Sequence, residues 1–338
     1  MKNTHISLSH GSGGVESNAL VDGVIHKILG EVMCEYGEDA GVFSGVKGYA
    51  ISTDSYVVSP IFFPGGDIGK LCVCGSSNDV SVRGATPRYL TLGLILEEGF
   101  TMEELEQILH SIKREAIQGG LRIITGDTKV VPKGNADKIY INTTAIGEIK
   151  DVDWRVGNIQ EGDDIILSAP VGTHGAVIFC ARNEMALQND LQSDCAQLYP
   201  LIESTHQYGN AIHAVRDATR GGVAAVLNEW SRGACVEINI QGGKIPILQQ
   251  VRGVCEILGL EALNLANEGV LLMAVSPHKS KAILESLRSH TLGKQACIIG
   301  RVSRKVAHIQ EARVIATNAW GGKCYVEYPQ GELLPRIC

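Results

Sequence analysis

Five aspartates stand beside glycine or other small residues in a chain of 338 residues, and they are the first sign of chemistry. They are Asp39 in Gly37-Glu38-Asp39-Ala40, Asp54 in Thr53-Asp54-Ser55, Asp79 in Asn78-Asp79, Asp127 in Gly126-Asp127-Thr128-Lys129, and Asp217 in Asp217-Ala218-Thr219-Arg220-Gly221-Gly222. Three of them interrupt, end or directly follow apolar strands, where a carboxylate is poorly solvated but well placed to converge with others. Magnesium takes hard oxygen ligands and commonly combines carboxylates with substrate phosphates, so the set suits a Mg-nucleotide site. Taken singly, each aspartate is equally a turn or cap residue.

The familiar phosphate loops are missing. Gly69-Lys70 lacks the upstream glycine and the following hydroxyl residue of a P-loop, and His10-Gly11-Ser12-Gly13-Gly14 follows no strand and does not complete the dinucleotide fingerprint. A glycine-rich loop of that kind can still offer backbone N–H groups to phosphate. Ten cysteines without a paired C-x-x-C pattern read as reduced thiols, most of them small core residues. Cys338 differs, because it is the last residue.

The elements that must position these groups alternate between strand and helix. Tyr49–Val58 reads as a strand, Gly66–Gly84 as a helix and Pro87–Leu96 as an apolar strand. Thr101–Gln118 is the clearest helix, with Leu105, Ile108, Leu109, Ile112 and Ala116 on one stripe and a capping box at Thr101 and Glu104. Strands follow at Leu121–Thr125 and Lys138–Glu148. The chain turns polar over Asp151–Asp163, which sets the domain boundary. Beyond it, Asp164–Ser168 and Val270–Val275 read as strands, Gly172 opens a helix, and Val223, Val226, Leu227 and Trp230 line another. Ser276-Pro277 predicts a further helix start. Gln295–Arg301 and Ala307–Thr317 read as strands, and an irregular tail follows Trp320. The expected domains are 1–155, 156–319 and a mobile tail, 320–338.

The bulk properties exclude several classes. A hydrophobic share of 44% with 20% charged residues is that of a globular chain. A net charge of −7 argues against general nucleic-acid binding. Neither a signal peptide nor an apolar run long enough to span a bilayer is present, so the expected location is the cytoplasm, away from membranes.

The ordered set of motifs resembles a known family along nearly the whole chain. It runs from His10–Gly14 through Glu38-Asp39-Ala40, Thr53-Asp54-Ser55, Gly66-Asp67-Ile68-Gly69-Lys70, Asn78-Asp79 and Arg83-Gly84-Ala85. It continues with Gly126–Val131, Asp217–Gly222, Asn267-Glu268-Gly269 and terminal Pro335-Arg336-Ile337-Cys338. These residues are similar to the HypE family, the carbamoyl dehydratases of [NiFe]-hydrogenase maturation, within the superfamily of aminoimidazole ribonucleotide (AIR) synthetase and selenophosphate synthetase. The aspartates indicate the superfamily; the terminal Pro-Arg-Ile-Cys discriminates the family. The family more often has Asp-Asp-Ala where this chain has Glu38-Asp39-Ala40, which leaves the ligand role with Asp39.

The resemblance implies a two-domain PurM-like (AIR synthase-like) α/β fold. Its N-terminal mixed-sheet domain binds ATP and pairs across a homodimer, with the nucleotide site near that interface. The carbamoyltransferase HypF loads the terminal thiol, ATP drives dehydration of the thiocarboxamide to a thiocyanate, and the cyanide passes to iron on the HypC–HypD complex. The implied ligands of ATP and Mg2+ are Asp39, Asp54, Asp79 and Asp217, with Asp127, Thr128, Asn78 and Lys70 also at the nucleotide. Lys129 would stabilise charge on the phosphoryl group or amide oxygen; otherwise it is a solvated loop lysine. Glu268 directly precedes the apolar strand Val270–Val275, so partial desolvation would raise it toward a useful base; otherwise it is an exposed turn residue. Cys338 would be the carrier, on an arm that could extend about 60 Å. Its own α-carboxylate favours the neutral thiol, and Arg336 would offset part of that effect. Two other readings stay open: a superfamily enzyme acting on a free small substrate, and a non-catalytic scaffold whose tail position is switched by ATP.

Overall fold

The computed structural model describes residues 14–20, 22–23, 41–43, 48–183, 190–331 and 336–338. Two sheets organise these residues. The first has the order β1-β2-β7-β5-β6, built from β1 (Gly41–Phe43), β2 (Tyr49–Tyr56), β5 (Ala85–Glu97), β6 (Arg122–Val131) and β7 (Ile139–Ile149). A small hairpin, β3 (Phe62–Phe63) with β4 (Gly66–Asp67), leads into helix Ile68–Val82. Within this sheet, among the described residues, only β5 and β6 pair in parallel, because helix Met102–Gln118 provides the crossover that parallel neighbours need.

That crossover helix starts on the predicted box: Thr101 Oγ1 accepts from Glu104 N at 3.2 Å and donates to its carboxylate at 2.8 Å. Ile108, Ile112 and Ala116 are buried, whereas Leu109 lies on the exposed flank of the stripe. Helix Ile68–Val82 is buried almost all round, as expected of a helix without a polar face. It packs on β2, β5 and β7 and also meets the second domain. Asp67 caps it by accepting from Gly69 N (2.8 Å) and Lys70 N (3.0 Å), a contribution of about 1 kcal/mol.

The second sheet has the order β14-β13-β10-β12-β8-β11-β9. Its strands are β8 (Asp164–Leu167), β9 (Ile212–Asp217), β10 (Val236–Gln241), β11 (Leu271–Val275), β12 (Cys297–Lys305), β13 (Arg313–Thr317) and β14 (Lys323–Tyr325). One hydrophobic cluster runs through both domains, from Ala50 and Leu71 to Val223 and Leu272.

Two expectations need correction. Residues 277–279 form a turn, closed by Lys279 N donating to Ser276 O at 3.0 Å, and the helix is Ser280–Ser289. Pro277 serves that turn, whose second position suits a fixed φ. The segment from residue 320 is also more ordered in shape than its glycines suggest. Asn318 Oδ1 accepts from Trp320 N (3.0 Å) and Gly322 N (2.8 Å), and this side-chain turn folds Lys323–Tyr325 back onto β13. Farther on, Pro329 O accepts from Val15 N at 3.0 Å, and Glu16 Oε2 accepts from Gly331 N at 3.0 Å. The stretch 320–331 is thereby anchored along its length.

Candidate functional site

A cavity of about 210 Å3 opens where the two domains meet, lined by β2, helix Ile68–Val82, the loop after β9, the turn before β11 and the chain end. Strand alternation puts Ser52, Asp54 and Tyr56 on one side of β2, and all three line the cavity. Asp79 lines it from the helix, and Ser52 Oγ donates to Asp79 Oδ2 at 2.6 Å. Tyr56 Oη donates to Asp54 Oδ2 at 3.3 Å and exchanges a 3.1 Å bond with Ser76 Oγ. Burial, with the charges of Asp54 and Asp79, raises the Tyr56 phenol well above its usual range.

The Asp217–Gly222 motif delivers Arg220 to the cavity. Gly222 adopts φ +60, and a Cβ there would meet Leu263 O at 2.4 Å, so the loop's sharp entry into helix Gly222–Gly233 requires glycine. Arg220 is exposed and its side chain lines the cavity. The charges of Cys338, Asp54, Glu268 and Asp79 all favour its cationic form.

Glu268 is held by a dense frame. Asn267 is fully buried; its Oδ1 accepts from Gly172 N (2.7 Å) and its Nδ2 donates to Ala218 O (2.8 Å). Asp194 Oδ2 accepts from Glu268 N (3.2 Å) and Gly269 N (3.1 Å). A Cβ on Gly269 would lie 1.9 Å from Asp194 O, so only glycine fits there. Glu268 is 3% exposed, and its Oε1 has no hydrogen-bond partner among the described residues. Burial pushes its carboxyl well above the usual range, with help from Cys195, Asp217, Asp194 and Asp54. Burial likewise pushes Asp194 up to about 6.

Cys338 closes the cavity from the chain end. Burial pushes its thiol up to about 12, opposed by Arg220 and reinforced by Glu268 and Asp54. The offsetting cation is therefore Arg220. Arg336 is turned away, donating Nε–H to Val57 O at 2.8 Å and pairing with Asp137 at 2.6 Å.

The other sequence candidates lie elsewhere. Asn78 is buried; its Nδ2 donates to Ala196 O (3.0 Å) and its Oδ1 accepts from Leu198 N (2.8 Å), so its amide fastens the domains together. Lys70 Nζ donates to Gly65 O at 3.0 Å and does not line the cavity. Asp217 is buried at the end of β9 and acts on Glu268 through its charge. Asp127, Thr128 and Lys129 lie on the exposed strand β6, where Lys129 and Asp127 pair at 2.6 Å. His10, Glu38 and Asp39 fall outside the described residues. Arg220, Asp194 and Tyr56 were given no role from sequence. Arg220 stood inside a recognised motif; Asp194 carries no local signal.

Among the described residues, no group of three or more His, Cys, Asp or Glu side chains is arranged to hold a metal ion. Asp54 and Asp79 together supply two carboxylates at one cavity. That is the protein share of a Mg2+ site completed by substrate phosphates, so the residues fit such an ion. The cavity alone is smaller than the roughly 300–1,000 Å3 taken by drug-sized ligands. It suits a phosphoryl group beside a modified cysteine.

Fold and site together define an AIR synthase-related protein: the family's N-terminal domain matches residues 37–149 and its C-terminal domain residues 160–309. Carbamoyl dehydratase HypE of Escherichia coli K12 is 42% identical over 341 residues, covering 99% of both chains. A solved structure of HypE in complex with ATP superposes with a TM-score of 0.82 at 40% identity, covering 99% of this chain and 100% of that one. HypE from a crystal structure of the HypE–HypF complex gives 0.84 at 39% identity, covering 90% and 99%. The chain belongs to the HypE carbamoyl dehydratase family.

Proposed function

We propose that this chain dehydrates an S-carbamoyl group on Cys338 to a thiocyanate at the expense of ATP, supplying cyanide for the iron of a [NiFe]-hydrogenase. The observation that carries this reading is the placement of the Cys338 end in one cavity with Asp54, Asp79, Arg220 and Glu268.

The chemistry follows from the groups present. An amide loses its oxygen poorly as hydroxide and readily as phosphate, and ATP supplies the phosphoryl group for that oxygen. Overall, S-carbamoyl-cysteine and ATP give S-cyano-cysteine, ADP and phosphate; both amide protons leave nitrogen. Mg2+, held by Asp54 and Asp79 with the phosphates, would neutralise phosphate charge. Arg220 adds a fixed cation where negative charge develops. Glu268, whose Oε1 has no hydrogen-bond partner among the described residues, takes a proton from nitrogen once ionised.

The thiol's own acidity separates loading from dehydration. A thiol held up to about 12 carries almost no thiolate at neutral pH, so Cys338 is a poor nucleophile while seated. On this reading carbamoylation by HypF is therefore assigned to a tail out of the cavity, to which the neutral carbamoyl adduct returns. The HypC–HypD complex is the cyanide acceptor, and the setting is cytoplasmic; among the described residues no helix is long and apolar enough to cross a membrane.

The deciding experiment is intact-mass analysis of carbamoylated protein incubated with Mg-ATP. Loss of one water from the peptide carrying Cys338 is expected. An unchanged mass after verified loading would favour a scaffold over an enzyme. Dependence of product on a free small substrate, with Cys338→Ala still active, would favour another superfamily reaction.

A homodimer through β6 belongs to the same proposal. The strand is exposed along its length and, among the described residues, paired only with β5, and Ile124 and Val130 are 54% and 68% exposed. A long, apolar, open edge is a template for another strand. Pairing it would also bring Asp127, Thr128 and Lys129 into an interface, where they could meet a nucleotide. Val130→Glu is expected to shift the protein to monomer in sedimentation velocity and to weaken ATP binding. A monomeric wild type would sink the dimer.

A further inference from the structure

Four hydrogen bonds to the backbone carbonyls of Arg336, Ile337 and Cys338 help to set how deeply Cys338 sits. Val57 N donates to Cys338 O at 3.0 Å and Ser59 N to Arg336 O at 3.2 Å, two bonds in antiparallel register with the segment that follows β2. Arg182 Nη2 bridges Arg336 O and Ser59 O, each at 2.8 Å. The remaining contact comes from His174, a fully buried histidine in the first turn of helix Thr173–Arg182. Its Nε2 lies 2.8 Å from Ile337 O, and its Nδ1 lies 2.7 Å from Ser193 Oγ.

The roles in this chain of bonds are fixed by elementary valence. A carbonyl only accepts, so His174 Nε2 carries hydrogen. Burial pushes the ring's pKa down to about 4, so it is neutral and Nδ1 accepts. Ser193 Oγ–H must then donate to Nδ1, while the same oxygen accepts from Cys195 N at 3.1 Å. The bonds thus run in one direction, from Cys195 N–H through Ser193 and His174 to the carbonyl preceding Cys338. Phe63 packs edge-on against the ring with centroids 5.4 Å apart, which holds its plane.

The same frame carries Glu268. Asn267 ties Gly172, at the start of the His174 helix, to the Glu268 turn. Gly175 N donates to Ala266 O at 2.9 Å, and Asp194, next to Ser193, accepts from Glu268 N and Gly269 N. Any displacement of the His174 helix against the Glu268 turn would break these bonds.

From this geometry we infer that His174 is a positioning residue: with Ser193 fixing its tautomer, it seats the residue before Cys338 and registers the carrier against Glu268. Among the described residues His174 is the hydrogen-bond donor to the Ile337 carbonyl, and seating this backbone atom constrains the thiol one residue away. The backbone would otherwise resist the pose, because Arg336 adopts φ +52, a left-handed conformation unfavourable for a residue with a Cβ. The catalytic consequence rests on the function proposed above; the seating itself does not.

Labelling of unmodified protein tests the seat without any carbamoyl chemistry. The probe is iodoacetamide, and Cys338 is read by fragmenting the peptide that follows Lys323. His174→Leu is expected to raise the Cys338 labelling rate about tenfold, the scale of one lost hydrogen bond. His174→Gln, whose amide nitrogen reproduces Nε2–H, should restore most of the protection, and Ser193→Ala should fall between. Cys72, fully buried in the core, is the internal control and should stay unlabelled in all variants. Wild-type Cys338 labelling in His174→Leu overturns the inference, as does equal labelling in the Leu and Gln variants. Single-turnover dehydration of preloaded protein should fall in His174→Leu and recover in His174→Gln, with ATP affinity unchanged. If loaded wild type makes no thiocyanate, the function fails while the labelling result still decides the seat.

Discussion

Glu268→Gln is expected to abolish thiocyanate formation, with the single-turnover rate down about 10²–10⁴-fold, the usual contribution of a positioned base. ATP binding and loading of Cys338 should persist, because the substitution preserves shape and the loading step is proposed to take place outside the cavity. The pH profile gives the sharper signature. Burial holds the Glu268 carboxyl well above its usual range, so the wild-type rate should climb with pH on a limb displaced above that of an ordinary glutamate. The Gln variant should lack the limb. Stability should move the other way. A carboxyl with a raised folded pKa stabilises the fold below its unfolded pKa of about 4.3 and loses that contribution as pH rises toward the folded value. The Gln variant pays no such penalty, so it should match wild type in acid and exceed it at neutral pH, a trade of stability for function. Thermal melts at both pH values with single-turnover assays check the whole set. Full activity in Glu268→Gln would remove the base from this position.

The elements were largely readable because periodicity and capping are local. Thr101 and Glu104 announced the crossover helix, and the polar stretch Asp151–Asp163 separates β7 from β8. Helix Ile68–Val82 was readable as a helix, yet its use was not. A helix buried all round gives no stripe to show which side meets which sheet, so Asn78 looked like a nucleotide residue when its amide joins the domains. Lys70 gave no better guide, because glycine beside lysine is a phosphate signal only in the right loop. The cavity's aspartates Asp54 and Asp79 were legible as types beside small residues. Their convergence was not, because it depends on β2 and a helix from a later segment. His174, Ser193 and Asp194 carry no local pattern; their meaning arises from contacts with residues as distant as Ile337. Arg336 suggested itself as the cation near Cys338, and Arg220 did not, for the same reason: neighbours in sequence are easier to see than neighbours in space.

Arg220→Leu is expected to lower the dehydration rate about 10²–10³-fold, the range seen when one preorganised charge partner is removed from a developing negative charge. The argument starts from what surrounds the guanidinium. Asp54, Asp79, Glu268 and Cys338 all line the same cavity, and Arg220 is the cation among its lining residues. Without it, phosphate charge would enter a cavity already lined by three carboxyl groups. Cys338 would also lose the opposing cation that restrains its upward shift, so its labelling should become slower at any given pH, the reverse of the His174→Leu effect. That contrast separates loss of charge from loss of seating. Arg220 remains open to the cavity's water, so its removal should cost little folding stability compared with its effect on rate. Arg220→Lys keeps the charge but loses the planar fork that can address two oxygens, and should recover part of the rate. Mg-ATP affinity, single-turnover dehydration and Cys338 labelling in the two variants form the test. A wild-type rate in Arg220→Leu would shift phosphate-charge stabilisation to another cation, with Lys129 across the proposed β6 interface the next to replace.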